Sequence, residues 1–166
     1  MVPLRVSQRR GLTEIYVRHA PEGIRLAYLL TGDRTLAEDL VQEAFLRFVG
    51  RLHFIRDPDA FEAYLQRTIV NLSKNHFRRR AVERSYLARH PGLVEGHADP
   101  DVPTYETIRT ALLALPVRQR AAIVLRYYED LPETQIAEIL GCRPATVRSL
   151  IARALGALRQ IPEGLI

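Results

Sequence analysis

From Val147 onward the apolar residues return at the spacing of one helix face. At about 100° per residue, Val147, Leu150, Ile151, Ala154, Leu155 and Leu158 fall within an arc of about 140°. Arg148, Ser149, Ala152, Arg153, Gly156 and Arg159 take the opposite arc, which holds three arginines and no acid. The pattern predicts a helix from about Pro144 to Arg159. The same period predicts helices at about Pro132 to Leu140, with Ile136, Ile139 and Leu140 inward, and at about Val117 to Tyr128. A further helix starts at Thr104 as N-cap and ends at Leu115-Pro116.

The first half repeats the theme. One helix is expected from about Leu12, disturbed near Pro21 and closing at Thr31-Gly32, and a second from about Thr35 to Leu52. A third runs from about Asp59 to near Arg80, with Asp59 and Glu62 spaced as a capping box. Between the halves, Leu87 to Thr104 (LARHPGLVEGHADPDVPT) has no sustained period of 3.6 or 2 and reads as a linker. No run alternates apolar and polar residues between turn pairs, so no strand is expected. The fold class is all-α: two small helical domains joined by a flexible linker, over residues 1–86, 87–104 and 105–166.

Composition narrows the class. Hydrophobic residues make up 47% and charged residues 26% of the chain, as in a globular rather than a disordered protein. The single cysteine, Cys142, excludes an internal disulfide or a multi-cysteine zinc site and is expected to be a small buried core residue. Histidines 19, 53, 76, 90 and 97 form no ligand motif and read as solvated surface residues, so no metal and no cofactor is expected. No stretch has the ~18 apolar residues of a membrane span, and Met1 to Gly11 lacks the apolar core of a signal sequence. A cytoplasmic protein without membrane insertion is expected.

Charge matters by position. Of 24 basic residues only Lys74 is lysine, a bias that reads mainly as GC-rich coding. Residues 1–86 carry 15 basic and 10 acidic side chains, 87–105 carry 1 and 3, and 106–166 carry 8 and 6. Gln66 to Arg84 alone holds six basic residues against one glutamate, equal to the net charge of +5.

Two constellations bear chemistry. In the second domain, Gly141-Cys142-Arg143-Pro144 joins a short helix to the longer one, with Gly141 suited to a left-handed helix end and Pro144 to a first turn. Such a pair is either a plain helical hairpin with a solvated arginine face or a helix-turn-helix whose second helix enters the major groove. Ala137, small where the helices cross, and inward Val147 favour the latter. In the third helix, Phe61, Tyr64, Leu65, Thr68, Ile69 and Leu72 share one face, while Arg67, Asn71, Lys74 and Arg78 line a strip beside it with Tyr64 at the border. A basic strip edged by an aromatic suits unpaired nucleic acid; a solvated face is the plain alternative. Arg79 and Arg80 continue the charge, consistent with duplex backbone contact. The second helix carries Asp39, Gln42, Glu43 and Leu46 on its polar strip, where an acidic surface with one leucine suggests a protein partner rather than DNA.

The stretches LTGDRTLAEDLVQEAFLRF (30–48), FEAYLQRTIVNLSKNHFRRR (61–80) and LLALPVRQRAAIVLRYYEDLPETQIAEILGCRPATVRSLIARALGALR (112–159) resemble the extracytoplasmic-function sigma factors, small two-domain specificity subunits of bacterial RNA polymerase. The resemblance implies a first domain that docks on core polymerase and melts the downstream promoter element, and a second that reads the upstream element as duplex. It implies polymerase contact by Asp39, Gln42 and Glu43, with Leu46 on the same strip. It implies a flipped-base site at Asn71 and loosely at His53 to Asp59, and duplex reading by Arg148, Ser149 and Arg153, with Arg143, Thr146 and Arg159 as further contacts of the second domain. Tyr64 stands where many members have Trp, and Leu150 where many have a basic residue. Many relatives are also held by an anti-sigma factor. A helix-turn-helix regulator with an N-terminal sensing or dimerising domain is the competing reading, and nothing in the sequence favours an enzyme.

Overall fold

A computed structural model describes residues 6–49, 58–87 and 103–160, with side chains over 11–49, 61–86 and 108–160. Among them are seven helices and no strand: α1 (Val6–Thr31), α2 (Arg34–Val49), α3 (Pro58–Leu87), α4 (Pro103–Ala114), α5 (Val117–Tyr127), α6 (Glu133–Leu140) and α7 (Pro144–Leu158).

Local chemistry sets most ends. The Thr31 hydroxyl donates to Ala27 O at 2.8 Å, and Gly32, at φ 72°, donates its N–H to Tyr28 O, closing α1. Asp33 Oδ1 then accepts the Leu36 N–H at 3.0 Å and caps α2. Gly141, at φ 63°, ends α6, and Cys142 N–H reaches back to Ala137 O at 3.0 Å. Arg143 in extended backbone and Pro144 in the first turn start α7.

Several boundaries differ from the sequence reading. α1 begins at Val6, not Leu12, and runs unbroken through Pro21. Pro21 is exposed, so the carbonyl that loses its N–H partner lies on the solvent side. α3 starts at Pro58, which places Asp59 inside the helix rather than at its cap, and continues to Leu87, seven residues past Arg80. Thr104 is likewise inside α4, which opens on Pro103. In both cases a proline already suited to the first turn takes the helix one residue further. Leu52 and residues 88–102 lie outside the described residues.

Two cores form. In the first domain Leu26, Val41, Ile69 and Leu72 are fully buried, and Phe61 packs edge-on to Phe48 with ring centroids 4.5 Å apart. Gly23 permits this approach: a Cβ there would stand 3.2 Å from Ile69 and 3.3 Å from Val41. In the second domain Leu125, Ile136, Val147 and Ala154 are buried where α5, α6 and α7 meet.

The domains also pack on each other. Arg120, on α5, is 5% exposed. Its Nε donates to Leu112 O at 2.9 Å, its Nη2 to Leu113 O and Leu115 O, and its Nη1 to Leu30 O of α1 at 2.5 Å. The guanidinium lies 5.1 Å from the ring centre of Phe77 on α3. Arg109 Nη1 donates to Gly32 O at 2.9 Å, and Gln66 Nε2 to Glu129 Oε2 at 2.6 Å. Contacts 66–129 and 77–120 run in opposite order, so α5 lies antiparallel along α3.

Candidate nucleic-acid interface

Helix α3 presents three faces. Phe61, Leu65, Ile69 and Leu72 form the one turned to the first core, within an arc of about 80°, and all four are buried. Gln66, Val70, Ser73 and Phe77 span about 60° of a second face, toward α5; the first three are buried and Phe77 is half-buried. Arg67, Asn71, Lys74 and Arg78 span about 60° of the third, with Tyr64 beside Asn71. The predicted strip is therefore one physical surface.

Its members differ in access. Arg67 and Arg78 are exposed, while Asn71 and Lys74 are half-buried. Lys74 is the member nearest the seam between domains. Burial holds its pKa below the ordinary lysine value, and Arg118 on α5 adds to the effect. Tyr64 is half-buried, its ring centre 5.8 Å from that of Phe48, so one side of the ring packs and the other borders the strip. Arg79 and Arg80 are exposed but turn around the helix away from the strip, where α3 leaves the body of its domain. Of the loop His53 to Asp59, only the start of α3 is described, and nothing of its side chains.

On α2, Asp39 and Gln42 are exposed, Leu46 is 73% exposed, and Glu43 pairs with Arg47 at 2.6 Å. The strip lies opposite buried Phe45 and Phe48.

On α7 the expected division holds. Val147 and Ala154 are buried, and Leu150, Ile151, Leu155 and Leu158 are half-buried against the core. Arg148, Ser149, Arg153 and Arg159 are exposed on the outer face, with Arg143 and Thr146 exposed at the start of the helix. Arg148 Nε meets Glu133 Oε2 of α6 at 2.9 Å, so this face is not free of acidic influence. The Ser149 hydroxyl donates back to Ala145 O at 3.1 Å.

Three expectations need correction. Cys142 is half-buried at the edge of the core rather than fully buried within it, because it sits in the turn after α6, close to Lys74 of the first domain. His19 and His76 are half-buried rather than solvated: His19 packs edge-on to Phe61 at 5.0 Å, and burial lowers the His76 pKa, with Arg80 and Arg79 adding to the effect. His53, His90 and His97 lie outside the described residues, among which no cluster of His, Cys, Asp or Glu is placed to hold a metal. Among the described residues, no helix is long and apolar enough to cross a membrane. The sequence reading also passed over Arg120. Its spacing to Ile123 and Val124 puts it on the inward arc of α5, the one signal that could have found it.

Residues 15–82, from α1 through most of α3, match Sigma-70 region 2, and residues 105–158, from α4 to α7, match Sigma-70, region 4. The chain is 33% identical over 153 residues to the RNA polymerase sigma-E factor of Streptomyces coelicolor, covering 89% of this chain and 84% of that protein. It belongs to the extracytoplasmic-function sigma factors of the sigma-70 family. The ECF RNA polymerase sigma-E factor of Escherichia coli is 30% identical over 170 residues, 94% of this sigma factor and 87% of that one. In architecture the sigma factor is similar to RpoE of Bartonella quintana, solved in complex with the anti-sigma factor NepR, with TM-score 0.74 and 22% identity over 91% of this chain and 96% of that one. Because region 2 takes up the first domain, the reading with a separate sensing or dimerising domain is not favoured.

Proposed function

We propose that this sigma factor directs core RNA polymerase to specific promoters, with residues 1–86 binding polymerase and melting the downstream element, 87–104 linking, and 105–166 reading the upstream element. The supporting observation is that two basic faces of different kind stand on two helices. The α7 face holds Arg148, Ser149, Arg153 and Arg159 at exposed positions, as entry into a major groove requires. The α3 strip is edged by a half-packed tyrosine beside an asparagine, as an unpaired base requires.

Roles follow from position. Tyr64 stacks on an extruded base and Asn71 bonds its edge, while Arg67, Lys74 and Arg78 follow the phosphates of the melted strand and Arg79 and Arg80 those of the adjoining duplex. Arg148, Ser149 and Arg153 read base edges; Arg143, Thr146 and Arg159 meet the backbone at the two ends of α7. Asp39, Gln42, Glu43 and Leu46 contact polymerase. The protein catalyses no covalent step, acts in the cytoplasm, and needs no metal or cofactor of its own. An anti-sigma factor is a further partner, by likeness to the complex of the Bartonella quintana protein.

Run-off transcription with purified core polymerase across a genomic library of promoter fragments tests this reading. Specific transcripts sharing an upstream and a downstream element are expected. Polymerase that starts no more selectively with the protein than without it sinks the reading.

A further inference from the structure

The chain leaves α5 through Glu129, whose side chain faces the first domain. Its Oε2 accepts the 2.6 Å bond from Gln66 of α3, and it shares with His19, Glu22 and Glu62 a hollow of about 20 Å³, enough for one water. The charged or titratable groups facing it are His19, Glu22 and Arg25 from α1 and Glu62 from α3. Three carboxylates drawn from two domains therefore line one small hollow, Glu22 and Glu62 from exposed positions and Glu129 from a half-buried one, and closing the domains is what brings Glu129 to the other two.

We propose that Glu129 is a proton-operated catch on the seam between the domains: protonated, it lets α5 lie against α3, and ionised, it resists burial there, with Glu22 and Glu62 adding to the resistance. The rest of the seam mixes polar and apolar contacts, among them the Arg120 bond to Leu30, the Arg109 bond to Gly32, the Phe77 contact and the Leu113 side chain against Gly32, and relative motion is the default for two domains of one chain joined in this mixed way. In the closed arrangement burial raises the Glu129 pKa; the Gln66 amide opposes the rise, Glu62 and Glu22 add to it, and Arg25 opposes it. A carboxyl whose pKa is higher in the closed form than in the open one favours closure fully below its open-form pKa. That contribution is lost as pH rises through the closed-form value. One proton limits the change in the closed-to-open ratio to about tenfold per pH unit across that window. Opening also uncovers Lys74, so the same proton governs how much of the α3 strip is available.

The measurement does not depend on the promoter-binding roles, because it reads shape. Small-angle X-ray scattering of the full chain is recorded from pH 4.5 to 8 at fixed ionic strength, with circular dichroism in parallel to follow helix content. The wild-type radius of gyration should grow as pH rises while helicity stays constant, and Glu129→Gln should stay compact throughout. Glu22→Gln combined with Glu62→Gln acts on the catch from the first domain alone and should shrink the growth of the radius with pH without abolishing it, since burial of Glu129 remains, which covers the case in which the Glu129 variant fails to fold. His19→Gln with His76→Gln should leave the response in place. A constant wild-type radius, a Glu129→Gln curve that follows the wild type or is expanded at every pH, a double glutamate variant with an unchanged curve, or a response abolished by the histidine changes overturns the proposal.

Discussion

The two basic faces are built from similar side chains and stand in opposite situations. The arginines of α7 project from a helix whose other side is sealed into its own domain, and among the described residues nothing from the first domain covers them. The strip on α3 borders the seam, so Lys74 and Asn71 are half-buried while Arg67 and Arg78 are open. Charge alone does not distinguish the surfaces. What differs is that α7 has two faces, one toward the core and one toward solvent, whereas α3 has three: core, neighbouring domain and solvent. The outer face of α7 is thus fully open in this structure, and the α3 strip only in part.

The sharpest way to break this contrast is Arg120→Leu. The change leaves up to four carbonyls at the ends of α1 and α4 without their donor, at a cost of about 3–5 kcal/mol in a urea melt. Loss of less than 1 kcal/mol would mean that water replaces the guanidinium freely. Gly32→Ala comes next. It places a Cβ at φ 72° and 2.4 Å from Leu113, with an expected cost of about 1–2 kcal/mol for the left-handed backbone alone. Combining it with Leu113→Ala removes the clash but not the backbone strain. A double-mutant cycle therefore separates the seam from the turn, and a purely additive result places Leu113 outside the contact.

Two further changes sharpen the contrast at the surfaces themselves. Tyr64→Ala and Asn71→Ala should weaken open-complex formation by about 1–3 kcal/mol for the stacked base and leave duplex binding nearly intact, with Tyr64→Phe as control for packing on Phe48. A pre-melted template that fails to separate these variants from duplex-binding ones removes the melting role. On α7, Arg148→Ala should relax preference at one upstream base pair by about 1–3 kcal/mol. Arg159→Ala should weaken all sequences alike and lower the salt slope by about one unit. Binding to single-base variants of the upstream element at two salt concentrations distinguishes them. A uniform loss for Arg148→Ala moves the reading role to Ser149 and Arg153.

The sequence made the helices and both basic faces legible, because each depends on a period that a single segment carries. Val147, Ala154, Ile136 and Leu140 are buried as their spacing requires, and Gly141 and Pro144 mark the turn. The packing of one domain on the other was not legible. It depends on Val70 and Phe77, apolar residues off the main stripe of α3, and on Arg120, a charge on an apolar arc. Each is an exception to its own helix pattern, and they make sense only when α3 and α5 are laid side by side. The same oversight put Cys142 in the core, when it is half-buried close to Lys74 of the first domain.

Arg120 is tied unequally to the two domains: its bonds to Leu112, Leu113 and Leu115 lie within its own, and the bond to Leu30 alone crosses over. When the domains part, the guanidinium keeps three of its carbonyls and the end of α1 takes a water in exchange. On heating, undocking can therefore precede melting of either domain, and a calorimeter should record more than one step where a single rigid body would give one.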